Sequence, residues 1–358
     1  MVLRPYKGWI ILIGLAVFIK IFSFFPFAVE KYYSTGIYPL IARLQRILFG
    51  WIPISIGDIF YIVMGVWLLV KIISFFKKLF RNQINRAFFL YMAGRVIQWV
   101  LGLYILFNLV WGLNYNRKGI DYQLQLKVTP YVNDELRALL KMIVGKLNDL
   151  DSASRAGRNE LNKKNFLFDA AAKSYNEISV QNNFFAYHSP SVKPSIFSYL
   201  GNYLGFSGYY NPFSGEAQVN TTVPVFMQPF TTCHEIGHQL GYAKEDEANF
   251  AGFLSARSSN NPAFRYSVFL DLYLYAASEL YFRDSSLLVP LREQLKPSIR
   301  NDLRTLRAFF SKYENPFEPY IRKLYGRYLK ANNQPKGIMA YDEVTGRIIA
   351  YYNKYGDL

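Results

Sequence analysis

The chain has 358 residues, about half of them apolar, and a formal net charge of +16, a size that accommodates two units. The charge does not point to nucleic acid, whose readers gather Lys and Arg on a soluble face. Instead, 12 basic residues fall in residues 1–114 against only Glu30 and Asp58, flanking long apolar runs.

Three segments in the first third reach the roughly 20 apolar residues that a transmembrane helix needs: residues 9–29, 54–76 and 88–113. They predict a membrane domain over residues 1–114. The first has a basic start like a signal peptide, but it is long, lacks a small-residue cleavage site, and is read as a retained span. Lys20, Asp58, Lys71 and Arg95 interrupt these runs mostly toward their ends, where side chains snorkel to the interface. Lys77, Lys78, Arg81 and Arg86 crowd the second link, which places that link in the cytoplasm and residues 115–358 outside. Lys31, Arg43 and Arg46 in the first loop count the other way.

Residues 115–358 mix both charges as a soluble surface does, and their patterning is mainly α. ELRALLKMIVGKLNDL and FLFDAAAKSYNEI, within 131–182, carry apolar residues at spacings of three and four. Residues 189–230 are rich in Gly, Pro and aromatics. They read as loops with a short β element, best placed in EAQVNTTV. RYSVFLDLYLYAASELYF is apolar, but Asp271 and Glu279 assign it to a soluble core. Further helices are expected at 287–312, 317–331 and 341–354.

Chemistry concentrates in TTCHEIGHQLGYAKEDEANF, residues 231–250. His234, Glu235 and His238 spell H-E-x-x-H. On a helix the two histidines share a face and can hold one Zn²⁺, while Glu235, about 100° away, reaches a metal-bound water as general base. The competing structural reading is a capping box, Thr232-x-x-Glu235, in which Glu235 only satisfies a backbone donor. Gly241 reads as the left-handed turn that ends this helix. A second helix, EDEANFAGFLSA, then offers a third ligand, Glu245, with Glu247 as the alternative if the helix start shifts by one residue. Asn249, one turn on from Glu245, is placed to orient a ligand histidine, and Asp246 is expected to face solvent. Lys244, where a metzincin would place its third ligand, is a poor zinc ligand at neutral pH. Cys233, the single cysteine, forms no intramolecular disulfide and reads as a small buried helix residue rather than a ligand. His188, Tyr209 and Tyr210 are weaker candidates, for an alternative ligand or an oxyanion donor; Glu216 lies with them in the loop and strand before the motif.

Glu245-x-x-Ala248-Asn249 resembles the Glu-x-x-Ala-Asp pattern of gluzincin-type metallopeptidases, with Asn in place of Asp. The motif stretch is also similar to the ImmA/IrrE-type metallopeptidases. Together with SGYYNPFSGEAQVN and YLKANNQPKGIMAYDEV, it resembles an uncharacterised bacterial membrane family, a domain of unknown function. The resemblance implies a mainly α architecture, with three transmembrane helices preceding a zincin-like unit at 115–358. It also implies a membrane-anchored zinc peptidase acting on protein or peptide.

The sequence therefore carries an expectation of zinc held by His234, His238 and Glu245, with Glu235 as the base and a lipid bilayer, not nucleic acid, as the setting. Two other readings compete. One is a non-catalytic sensor or scaffold whose zinc is structural, closed by a fourth ligand such as His188 or Cys233. The other is a transport component, which requires the charged residues of the spans to converge.

Overall fold

The computed structural model describes residues 4–334 and 341–358, so part of the YLKANNQPKGIMAYDEV stretch lies outside the described residues. The described residues are mainly helical. Helices α3 (Ile56–Phe80) and α4 (Arg86–Val110) are long and apolar enough to cross a membrane. Each begins on a polar cap: Ser55 accepts from the Asp58 amide, and Asn85 from that of Phe88.

The segment expected as a first span, 9–29, does not form one straight helix. α1 (Arg4–Phe22) ends where the Ser23 hydroxyl bonds the Lys20 carbonyl. Pro26, which has no N–H to continue the ladder, opens a new helical run through residues 26–37 into α2 (Tyr38–Phe49). The two runs meet at 98°. α1 lies along α4, with Trp9 against Gly94 and Ile19 in the same buried cluster as Ile105.

The remaining helices build one core. α5 (Asn133–Leu161) and α10 (Pro262–Glu293) pack along each other, burying Leu136, Leu140 and Ile143 together with Phe264, Val268 and Leu272. Those positions recur at helical spacing, so each helix presents an apolar stripe to its partner. α6 (Lys164–Ser179), α8 (Gln228–Gln239), α9 (Glu245–Ser258) and α13 (Tyr341–Tyr355) close over them. α11 (Pro297–Tyr313) adds Ile299 and Leu306 to this core, whereas α7 (Ser198–Leu204) and α12 (Glu318–Ala331) lie outside it. The β element is a three-stranded sheet, with β3 (Glu216–Val219) between β1 (Val192–Pro194), parallel to it, and β2 (Gly208–Asn211), antiparallel.

The boundary expected at residue 114 is heavily bridged. The Glu216 carboxylate accepts the Ile56 and Gly57 amides at the start of α3 (3.2 and 2.6 Å). An anion suits a helix N-terminus, where unpaired N–H groups and the dipole favour negative charge. Asp58 accepts the Ile196 amide (2.7 Å) and the Tyr209 hydroxyl. Arg117 forms a buried bidentate pair with Glu30 (2.9 and 2.8 Å).

Candidate metal centre

α8 begins at Gln228 with Pro229 in its first turn, where a missing N–H costs nothing. Thr232 is thus inside the helix, its hydroxyl on the Gln228 carbonyl (2.7 Å), and the capping box does not form. Glu235 is left free of that role. The helix ends at Gly241, whose φ of +88° is the left-handed conformation that glycine adopts without strain. The chain then reverses into α9. The two helices touch backbone to backbone: a Cβ at Gly252 would lie 3.0 Å from the His234 nitrogen, and one at Gly237 3.2 Å from the Ala248 carbonyl. This close crossing brings the first turn of α9 over the histidine face.

The His234 and His238 rings stand 4.7 Å apart and nearly perpendicular, at 88°. His238 Nδ1 lies 2.7 Å from the Tyr242 carbonyl, which fixes the tautomer and turns the Nε2 lone pair outward. The Glu245 carboxylate lies 3.3 Å from His234 Nε2 and 3.7 Å from His238 Nε2. Charge-assisted hydrogen bonds close to about 2.7–2.9 Å, so these separations are longer than those of tight direct bonds. They suit donors that share an ion, since ligands at about 2.1 Å around a tetrahedral metal sit about 3.4 Å apart. Two imidazoles and a carboxylate are a donor set that fits Zn²⁺. The Glu245 amide bonds the Gln334 side chain (3.0 Å), and its carboxylate accepts the Tyr325 hydroxyl (2.6 Å).

Glu235 is buried beside this cluster, with ligand atoms of His234, Glu235 and His238 all within 4.8 Å of one another. Its Oε2 has no hydrogen-bond partner, and a Cβ at Gly208 would meet its Oε1 at 2.5 Å. Burial pushes its carboxyl up to about 7, only partly opposed by the two histidines. Burial works against a charged His234, but the neighbouring Glu245 and Glu235 carboxylates outweigh it and raise the imidazole to about 9. Glu245, though burial opposes its charge, is held well below the usual carboxylate range by both histidines. Asn249 adds to the pull on His234 without closing a bond of good geometry, because His234 Nδ1 has no hydrogen-bond partner.

Other candidates lie elsewhere. Glu247 points away from the histidines to Lys244 (3.2 Å), and Asp246 is buried against Arg347 (2.5 Å) rather than facing solvent. α9 starts at Glu245, and that start decides which carboxylate faces the site. Cys233 packs against Ser174 and Ser255, its thiol pushed up to about 12 by burial. The His188 side chain is exposed, and its carbonyl is held by Arg46. Tyr209 and Glu216 bond Asp58 and the start of α3, and Tyr210 is buried against Trp111, so all three tie the sheet to the helices below it. Lys20, Lys71 and Arg95 have separate partners in Phe24, Trp67 and Gln98. With Asp58 on Tyr209, the charged residues of the spans do not converge.

Two further residues at the site carry no sequence motif. Tyr325, in a chain of 29 tyrosines, has no local motif. Asp271, buried with an unpartnered Oδ2, is close enough for His234 to favour its charge, but burial dominates and raises its carboxyl to about 7. Its one sequence signal is its place in an apolar helical run, which equally suits a helix of a soluble core.

The arrangement is that of a mainly helical protein with two helices long and apolar enough to cross a membrane and a separate His-Glu-His-Glu cluster. Residues 33–349 match the family described as Protein of unknown function (DUF3810), and the chain belongs to that family. No curated protein and no solved structure matches it.

Proposed function

We propose that this protein is a membrane-anchored zinc-dependent peptidase. The observation that supports this most strongly is the donor spacing of 3.3 and 3.7 Å from Glu245 to two histidines presented on one helix face. Glu235 lies beside that face without a partner of its own. His234, His238 and Glu245 would hold the ion, which supplies a Lewis acid that acidifies water and polarises the scissile carbonyl. Glu235 accepts the water's proton and returns it to the leaving amine; a carboxyl near neutrality suits both directions. Tyr325 holds Glu245 and offers a hydroxyl at the site for an oxyanion. α1, running beside α4, serves as the third crossing. The basic link between α3 and α4 supports a cytoplasmic position for that link, and with it a site on the outer face of the cell membrane.

A second reading is favoured by the placement of Glu235 among the ligand atoms, which allows a closed, four-ligand structural site. The first test is metal analysis of the purified full-length protein. Wild type should carry about one zinc per chain and His234→Ala almost none. A wild type free of zinc after purification in its presence overturns both readings.

A further inference from the structure

We propose that α2 lies in the plane of the lipid surface, and that it fixes the metal centre there so that the polypeptides cut are those held at the same surface. The second half rests on the peptidase reading.

The geometry of the first 56 residues carries the argument. α1 runs alongside α4, and the run that includes α2 leaves it at 98°, so if α1 and α4 cross the bilayer, α2 runs along the membrane plane. Residues 50–55 then lead straight into α3, so both ends of α2 are tied to apolar helices. α2 is two-faced. Tyr38, Ala42, Gln45 and Arg46 are buried under the metal-binding unit. The opposite side is a bare apolar stripe at spacings of three and four: Ile37, Leu40 (69% exposed), Leu44 (58%), Ile47 and Trp51 (78%). Such a helix settles about 5–10 Å into the headgroup boundary. Trp51 sits at the level where aromatic belts form, and exposed Arg43 and Lys31 suit anionic headgroups. Lipid is the occupant these features favour, because the stripe continues into the exposed apolar side of α3.

The buried face of the same helix reaches the metal site. The Tyr38 hydroxyl bonds the Gln239 carbonyl (2.9 Å), one residue past His238, and Arg46 approaches the same oxygen at 3.4 Å. A second route starts just past the end of α4, where Tyr115 bonds Tyr328 (3.2 Å), one turn from Tyr325 on Glu245. The site is therefore about one helix diameter, roughly 10–12 Å, from the lipid contact. Exposed Ile196, Tyr199 and Leu200, beside the Asp58 anchor at the start of α3, extend the apolar rim. A freely soluble chain gains nothing from such a rim, whereas a chain anchored in the same leaflet arrives already at that height.

Two measurements on the full-length protein in phosphatidylcholine–phosphatidylglycerol vesicles test this. Leu40→Cys and Leu44→Cys, labelled with an environment-sensitive fluorophore while buried Cys233 stays unreactive, should be quenched more by lipids spin-labelled at carbon 5 than at carbon 12. Val180→Cys, at a position 87% exposed, is the water-facing control and should be quenched by neither. Labels on α2 that behave like Val180, or that self-quench through a second copy, overturn the placement; stronger quenching from carbon 12 overturns it in favour of deep insertion. The second measurement uses a pool of internally quenched peptides of randomised sequence on a lipid anchor. The cleavable stretch starts either directly at the anchor or after a 30-residue spacer. The short form should be cut about tenfold faster. Equal rates, or faster cutting of the long form, overturn the surface-substrate half. Cleavage of neither pool sinks the peptidase reading together with its substrate, while the quenching result still decides where α2 lies.

Discussion

Glu235 decides between an open and a closed site, because it lies among the ligand atoms of both histidines and its Oε2 has no partner. Glu235→Gln keeps shape and volume while removing the base. In an open site it leaves zinc stoichiometry unchanged and lowers peptide cleavage by about 10²–10⁴-fold; loss of zinc from this variant marks a closed site instead. Tyr325→Phe removes only the hydroxyl on Glu245. It should cost about 10–100-fold in zinc affinity or turnover, with thermal stability changed by no more than about 0.5 kcal/mol because the ring is partly exposed. Metal titration and unfolding of the same preparation separate the two effects. At this scale His234, Glu235, His238 and Glu245 were legible as a group, since helical spacing alone puts the histidines on one face. Asp246 was not. It has the same local pattern as a surface carboxylate, and its partner Arg347 lies a hundred residues further on.

Among the elements, α8 is held mostly from its C-terminal end. Its last carbonyls, which a helix cannot satisfy internally, are taken by Tyr38 on Gln239 and by Trp111 on His238 (3.2 Å), and Arg117 holds the Gly241 carbonyl just beyond (3.1 Å). Tyr38 is fully buried, so Tyr38→Phe leaves a carbonyl without its main donor at a cost of about 1–3 kcal/mol. The expected outcome is a lower unfolding midpoint in detergent and weaker zinc retention, with Glu235 chemistry intact at saturating zinc. The helices themselves were readable from periodicity, and the β element from EAQV. The break in the first apolar segment was marked by Pro26, but the right angle after it depends on which neighbours the next helix finds. That information is tertiary. The anchoring roles of Tyr209 and Glu216 are of the same kind, because their partners begin a helix about 150 residues earlier.

Taken as a whole, the molecule carries many contacts across the boundary expected at residue 114. Expressed alone, residues 115–358 lack Tyr38, Arg46 and Trp111 and lose the Glu30 partner of buried Arg117. Such a fragment should be degraded by protease well before the full-length protein and should bind zinc substoichiometrically; a compact fragment with one tightly held zinc contradicts this. Trp111 carries a further consequence. It is the first residue past α4, and its indole holds the carbonyl of His238, whose imidazole faces the centre of the cluster. A bilayer of different thickness changes the tilt at which an apolar helix rests. In a membrane, acyl-chain length would therefore act on the angle between two imidazoles, and a peptidase built this way would work at different rates in thin and thick regions of the same cell envelope.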